Sequence, residues 1–147
     1  MKILHIVDYY MPGMGYQENL LPKWNAKQNN QVTIITSDRY QPVNDYSNSW
    51  GKILGERICG EGKSIEDEVE IIRLPILFEI KGKPWLKNLK SEIEKINPEV
   101  ILIHGTTSFS FYRVPFIANK NKVPCMADNH MVFHVINKSL INQILIK

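Results

Sequence analysis

The sequence predicts an α/β fold built on a doubly wound parallel sheet, with helices on both faces. Three observations predict it. Short apolar runs alternate with segments of helical periodicity along the chain. The first run, Ile3-Leu4-His5-Ile6-Val7, is too continuous for a strand with one wet face, so it reads as a central strand buried on both sides. Long connections between the apolar runs suit parallel pairing, which needs crossovers instead of hairpins.

After the first strand comes a loop with two glycines, Gly13 and Gly15, and then a helix expected over Tyr16 to Asn29. Leu20, Leu21 and Trp24 share one face of it. Pro22 lies inside the span and predicts a bend or a late start. Asn29-Asn30 punctuates its end, and Val32 to Thr36 reads as a second buried strand.

Ser37 to Ser64 is a long irregular stretch rich in Gly, Asn, Ser and Pro. Its Trp50, Ile53, Leu54 and Ile58 predict that it packs down on the domain. Val69 to Leu74 reads as a third strand ended by Pro75. Pro84 suits a first helical position, and Trp85, Leu86, Leu89, Ile93 and Ile96 follow at helical spacing until Asn97-Pro98 stops them. Val100 to Ile103 is a fourth strand, closed by His104-Gly105. Thr106, Thr107 and Ser108 can cap a helix running to about Asn119, disturbed by Pro115. Val123 to Ala127 is a fifth strand, followed by Asp128-Asn129-His130 and a last helical pattern from Met131. Val135, Ile136, Leu140, Ile144 and Leu145 give that helix a large apolar surface, which either covers the sheet or awaits a continuation of the chain. The expectation is one domain over residues 1–147, truncated before a second half.

Composition bounds the function. The chain has 147 residues, enough for one domain with a real core, and 44% hydrophobic against 22% charged residues places it among globular proteins. A net charge of +3 without a concentrated basic face argues against nucleic acid as a partner. Cys59 and Cys125 are far apart, so neither a disulfide framework nor a CxxC zinc site follows. No apolar run reaches the length of a membrane span, and Lys2 leads directly into a strand, so the expected location is the cytoplasm.

A βαβ unit with a Gly-rich loop places that loop at the carboxyl edge of the sheet, where α/β proteins bind ligands. One candidate ligand is a dinucleotide such as NAD or FAD. Gly13-Met14-Gly15 supplies the first two glycines of GxGxxG, but Glu18 stands at the third. A glutamate there blocks close helix–sheet packing and opposes a pyrophosphate. The loop from Asp8 to Gly15 is also longer than that motif's tight turn.

Five segments carry another reading: KILHIVDYYMPGMGYQENLL, QVTIITSDRY, VEIIRLP, INPEVILIHG and VPCMADNH. In this order they resemble the Rossmann-like N-terminal half of a GT-B glycosyltransferase of the family 4 kind. The resemblance implies two such domains facing a cleft, this one on the acceptor side. The other, holding most of the nucleotide-sugar, is not in these residues. It implies transfer of a sugar from a nucleotide donor to an acceptor hydroxyl, on a glycan or a lipid-linked molecule, with retention at the anomeric carbon. Neither a metal nor a cofactor is required in that scheme, and the chain alone is expected to be inactive.

The same resemblance supplies the site residues. The family's Gly-Gly pair before an x-Glu corresponds to Gly15-Tyr16, then Gln17 and Glu18; the tyrosine departs from the pattern and narrows the approach. The helix start there offers backbone N–H groups to a phosphate or a sugar hydroxyl. His104 matches a strand-ending histidine that hydrogen-bonds a sugar hydroxyl, and Gly105 admits the ligand near the backbone. His130 falls where the family has a histidine facing the donor sugar and is the expected catalytic residue, with Asp128 and Asn129 beside it.

Other features read more plainly. His130 and His134 form HxxxH, for which no third zinc ligand is evident. His5 reads as a satisfied core histidine. Lys81, Lys83, Lys87 and Lys90 around Trp85, Leu86 and Leu89 suit either an anionic membrane interface or an ordinary solvated helix face. A freestanding α/β binding or oligomerisation module remains the non-enzymatic alternative.

Overall fold

The computed structural model describes residues 1–129. Their main sheet has six strands: β1 Lys2–Val7, β2 Gln31–Ser37, β3 Gly62–Glu66, β4 Val69–Leu74, β7 Val100–His104 and β8 Cys125–Asp128. Between them come α1 Gln17–Lys27, the single-turn α2 Gly51–Leu54, α3 Leu89–Ile96 and α4 Phe109–Lys120. The strands β5 Ile76–Ile80 and β6 Lys83–Leu86 form a separate hairpin.

Strand order is β3-β4-β2-β1-β7-β8. All neighbours pair in parallel except β3, which runs antiparallel to β4 at the edge. The sheet is therefore mixed, a correction to the purely parallel expectation. The Asp67-Glu68 turn between β3 and β4 has φ of 49° and 68°, the left-handed pair that matches the twist of a two-residue hairpin.

The side chains of β1 alternate between two cores. Leu4 and Ile6 join Ile35, Ile72, Leu89, Ile93, Ile101 and Val114 beneath α3 and α4. Ile3 and Val7 join Ala26, Val32, Ile34 and Ile71 beneath α1. The helices thus lie on both faces, as expected. From β1, the chain moves through α1 to β2 on one side, while β7 lies on the other. The order reverses between β1 and β7, and a crevice opens at their carboxyl ends at such a point.

Helix α1 begins at Gln17 and runs through Pro22, with no late start. It stops at Lys27, and Asn29 (φ 59°) takes the left-handed conformation that ends helices. The helix expected from Pro84 is not there. Lys81 and Gly82, both at positive φ, turn a hairpin whose second strand holds Pro84 and Trp85; the helix waits until Leu89. Trp85 lies against Phe78 and Phe109, with ring centres 5.5 and 5.6 Å away, and the Arg113 guanidinium sits 4.1 Å over its ring. Leu86 and Leu89 are fully buried. Of the four lysines only Lys90 lies on a helix, α3; Lys81 and Lys83 belong to the hairpin and Lys87 to the turn after it.

The stretch after Ser37 is more ordered than its composition suggests. It holds a 3-10 turn at Tyr46–Asn48, α2, and a bridge between Arg39 and Ile58. Arg57 ties it to the hairpin, its Nη2 lying 2.7 Å from each Glu79 oxygen. Trp50 and Leu54 are half-buried, but Ile53 and Ile58 stay exposed, against the expectation that all four pack down.

Candidate functional site

The crevice at the β1–β7 switch is assembled from four segments. The first is the loop after β1. Asp8 leaves the end of that strand, and its Oδ1 accepts from the Ser110 hydroxyl at 2.9 Å. Burial pushes the Asp8 carboxyl up to about 6, against the hydroxyls of Ser110 and Ser108 and the Lys83 ammonium, which favour the ionised form. Asp8 carries no motif signal in the sequence. Its one mark is its place directly after the buried strand β1.

From Asp8 the loop crosses over the ends of β2 and β4 before returning to α1. The Tyr10 amide donates to Thr36 Oγ1 at 2.9 Å, and Arg73 donates to the Tyr10 carbonyl at 3.3 Å. This detour explains the length that a dinucleotide turn would not have. Gly13 and Gly15, at φ 71° and 69°, shape it. They line a groove of about 180 Å³ with Tyr10, Asn19, Glu66 and Asp67, on the β4 side of α1.

The second segment is the start of α1. Tyr16 is its N-cap and contributes no side-chain bond to the first turn. The Asn19 and Leu20 amides return to the Tyr16 carbonyl, so the Gln17 and Glu18 N–H groups precede the first helical bonds. Glu18 is half-buried in that first turn.

The third and fourth segments are the ends of β7 and β8. Their parallel register sets His104 opposite Asp128. The Asp128 Oδ2 lies 2.9 Å from His104 Nδ1 and 3.4 Å from Gln17 Nε2, while Oδ1 accepts from the Gly105 amide at 3.3 Å. One carboxylate thus joins the start of α1, the end of β7 and the end of β8. Gly105 has φ 93° and open space where a Cβ would stand. Ser108 caps α4 by accepting from the Phe111 amide at 3.0 Å.

His104 is turned into the protein. Its side chain is 5% exposed, and both ring nitrogens face protein groups: Nδ1 meets Asp128, and Nε2 lies 2.9 Å from His5 Nδ1. His5 is buried, as a core histidine should be, yet its partner is this site residue, a link the sequence does not reveal. His5 Nε2 in turn lies 3.1 Å from Asn25 Nδ2 on α1. Burial, and then His104, pull His5 down to about 3, so its ring is neutral at physiological pH.

Asn129 is exposed beyond the end of β8. The expected catalytic His130, and His134, lie outside the described residues. Among the described residues no cluster of three His, Cys, Asp or Glu side chains could hold a metal ion, and no helix is long and apolar enough to cross a membrane.

Comparison of the chain with protein-family models, with curated proteins and with solved structures found no match.

Proposed function

We propose that this chain is the acceptor-side α/β half of a glycosyltransferase, its crevice receiving a hydroxyl-bearing acceptor beside a nucleotide-sugar held mainly by a second half. The observation that supports the reading is the convergence on Asp128. Three separate segments, 15–18, 104–105 and 128–129, are assigned to one wall by the resemblance, and they meet within hydrogen-bond reach of that carboxylate. An ionised carboxylate accepts from sugar hydroxyls, the Gln17 and Glu18 N–H groups suit a phosphate or hydroxyl oxygen, and Gly105 leaves room beside the backbone.

In this scheme the chain's own groups bind and orient. Asp128 aligns the acceptor hydroxyl, and the helix start adds positive dipole where the departing diphosphate gathers charge. By the resemblance, His130 is the residue expected opposite the donor sugar.

Calorimetry with uridine and guanosine diphosphate sugars tests the division of labour. The 147-residue chain should bind them weakly or not at all. Tight binding by this chain alone overturns the proposal.

A further inference from the structure

The fully buried His5 stands mid-strand in β1, where an aliphatic side chain would fill the same space without a polar group to satisfy. It belongs to a continuous chain of contacts. Asn25 Nδ2 lies 3.1 Å from His5 Nε2, His5 Nδ1 lies 2.9 Å from His104 Nε2, and His104 Nδ1 lies 2.9 Å from Asp128 Oδ2. The two rings have centres 5.2 Å apart and planes only 16° apart. With nitrogens at 2.9 Å, they meet edge to edge in nearly one plane, the geometry of an N–H···N bond rather than of a face-to-face stack.

With both imidazoles neutral and Asp128 ionised, only one proton arrangement satisfies all four groups. The Asp128 carboxylate can only accept, and at 2.9 Å from His104 Nδ1 it favours a proton on that nitrogen. The lone pair on His104 Nε2 then accepts, which requires the proton of His5 on Nδ1. His5 Nε2 accepts in its turn, and Asn25 must present its NH₂ group. Each neutral imidazole passes the constraint on, so an amide on α1 dictates the tautomer of a ring at the edge of the crevice.

We propose that His5, backed by Asn25, is a positioning residue: its Nδ1–H keeps His104 Nε2 an acceptor, so that neutral His104 turns its Nδ1–H to Asp128 and orients that carboxylate toward a sugar hydroxyl. The last clause rests on the sugar-transfer reading; the tautomer chain does not.

The test is long-range ¹H–¹⁵N spectroscopy of the full chain with labelled histidines. In the wild type, His5 and His104 should both be neutral Nδ1–H tautomers at pH 7; a wild-type His104 found as Nε2–H or as imidazolium overturns the proposal. His5→Phe should remove the N–H donor from His104 Nε2 and shift that ¹⁵N signal downfield, toward an unbonded imidazole nitrogen. An unchanged His104 signal overturns it. Asn25→Asp places a carboxylate at each end of the imidazole pair. Both outer nitrogens must then carry protons, and the pair must hold a third between them, so one imidazolium should appear at pH 7. Two neutral rings in this variant overturn the proposal, and a merely space-filling His5 would give that result.

Titration with methyl α-D-glucopyranoside and methyl α-D-mannopyranoside, read at the Gly105 amide, tests the remaining clause. His5→Phe should weaken binding about tenfold, and Asp128→Asn should abolish it. If neither glycoside moves that amide in a wild type with the expected tautomers, the sugar reading falls and the positioning of Asp128 stands.

Discussion

Nδ1 of His5 and Nε2 of His104 lie 2.9 Å apart across neighbouring strands, joining the center of the α1-facing core to the edge of the switch-point crevice. Core and site are coupled at this contact, so stability measurements report on the site.

The first consequence is acid sensitivity. The folded-state pKa of His5 is lowered to about 3 from 6.5, so below pH 6.5 the unfolded chain takes up a proton that the folded chain refuses. Stability falls as pH drops through that window, by about 4 kcal/mol near pH 3.5. Denaturant melts of the wild type and His5→Phe should converge as the pH falls; parallel curves contradict the assignment.

Asp8 works in the opposite direction. Its folded-state pKa is raised from 3.8 to about 6, so the folded chain holds the proton more tightly, and stability falls as pH rises through that window. Asp8→Asn keeps an oxygen for the Ser110 hydroxyl and removes the buried charge. It should match the wild type at pH 4 and exceed it by about 2 kcal/mol at pH 8. Equal melting at both pH values would show that Asp8 is not held in this buried environment.

Tyr16 leaves the first turn of α1 without a side-chain cap. Tyr16→Asp should cap it and stabilise the chain by about 1 kcal/mol. The added carboxylate should also weaken any anion held at the helix start. Lower stability in thermal melts would mean that the tyrosine ring contributes packing that outweighs the missing cap.

Gly105 has φ 93° with open space beside it. Gly105→Ala should cost about 1–2 kcal/mol through backbone strain alone. The same substitution should reduce glycoside binding, because the methyl group occupies space at the crevice. An unchanged melting temperature contradicts the first point, and unchanged binding the second.

Much of the fold is legible in the sequence because buried parallel strands write themselves as unbroken apolar runs. Ile3 to Val7, Val32 to Thr36, Val69 to Leu74 and Val100 to Ile103 all fall on strands, and the fifth, Val123 to Ala127, overlaps β8. Strand β3 and the β5–β6 hairpin at the margins are not legible in this way. Gly62–Glu66 is an edge strand, exposed along most of its length, so it carries no apolar signature. The β5–β6 turn depends on positive φ at Lys81 and Gly82, and a proline within β6 reads as a helix start.

For the site, the segment ends were readable and their roles were not. His104-Gly105 and Asp128 come together as the strand ends suggest. Which of them faces a ligand depends on His5 and Asn25, separated from His104 by most of the chain. That contact follows from strand order, which no local pattern encodes.

The account's central claim is that the crevice between β1 and β7 takes sugar hydroxyls at Asp128. Backbone amide shifts of the ¹⁵N-labelled chain, followed through a titration with methyl glycosides, test it most directly. The predicted result is saturable shifts at Tyr16, Gln17, Gly105 and Asp128, lost in Asp128→Asn. Shifts absent from these residues, or confined to the groove beneath Gly13 and Gly15, would contradict it.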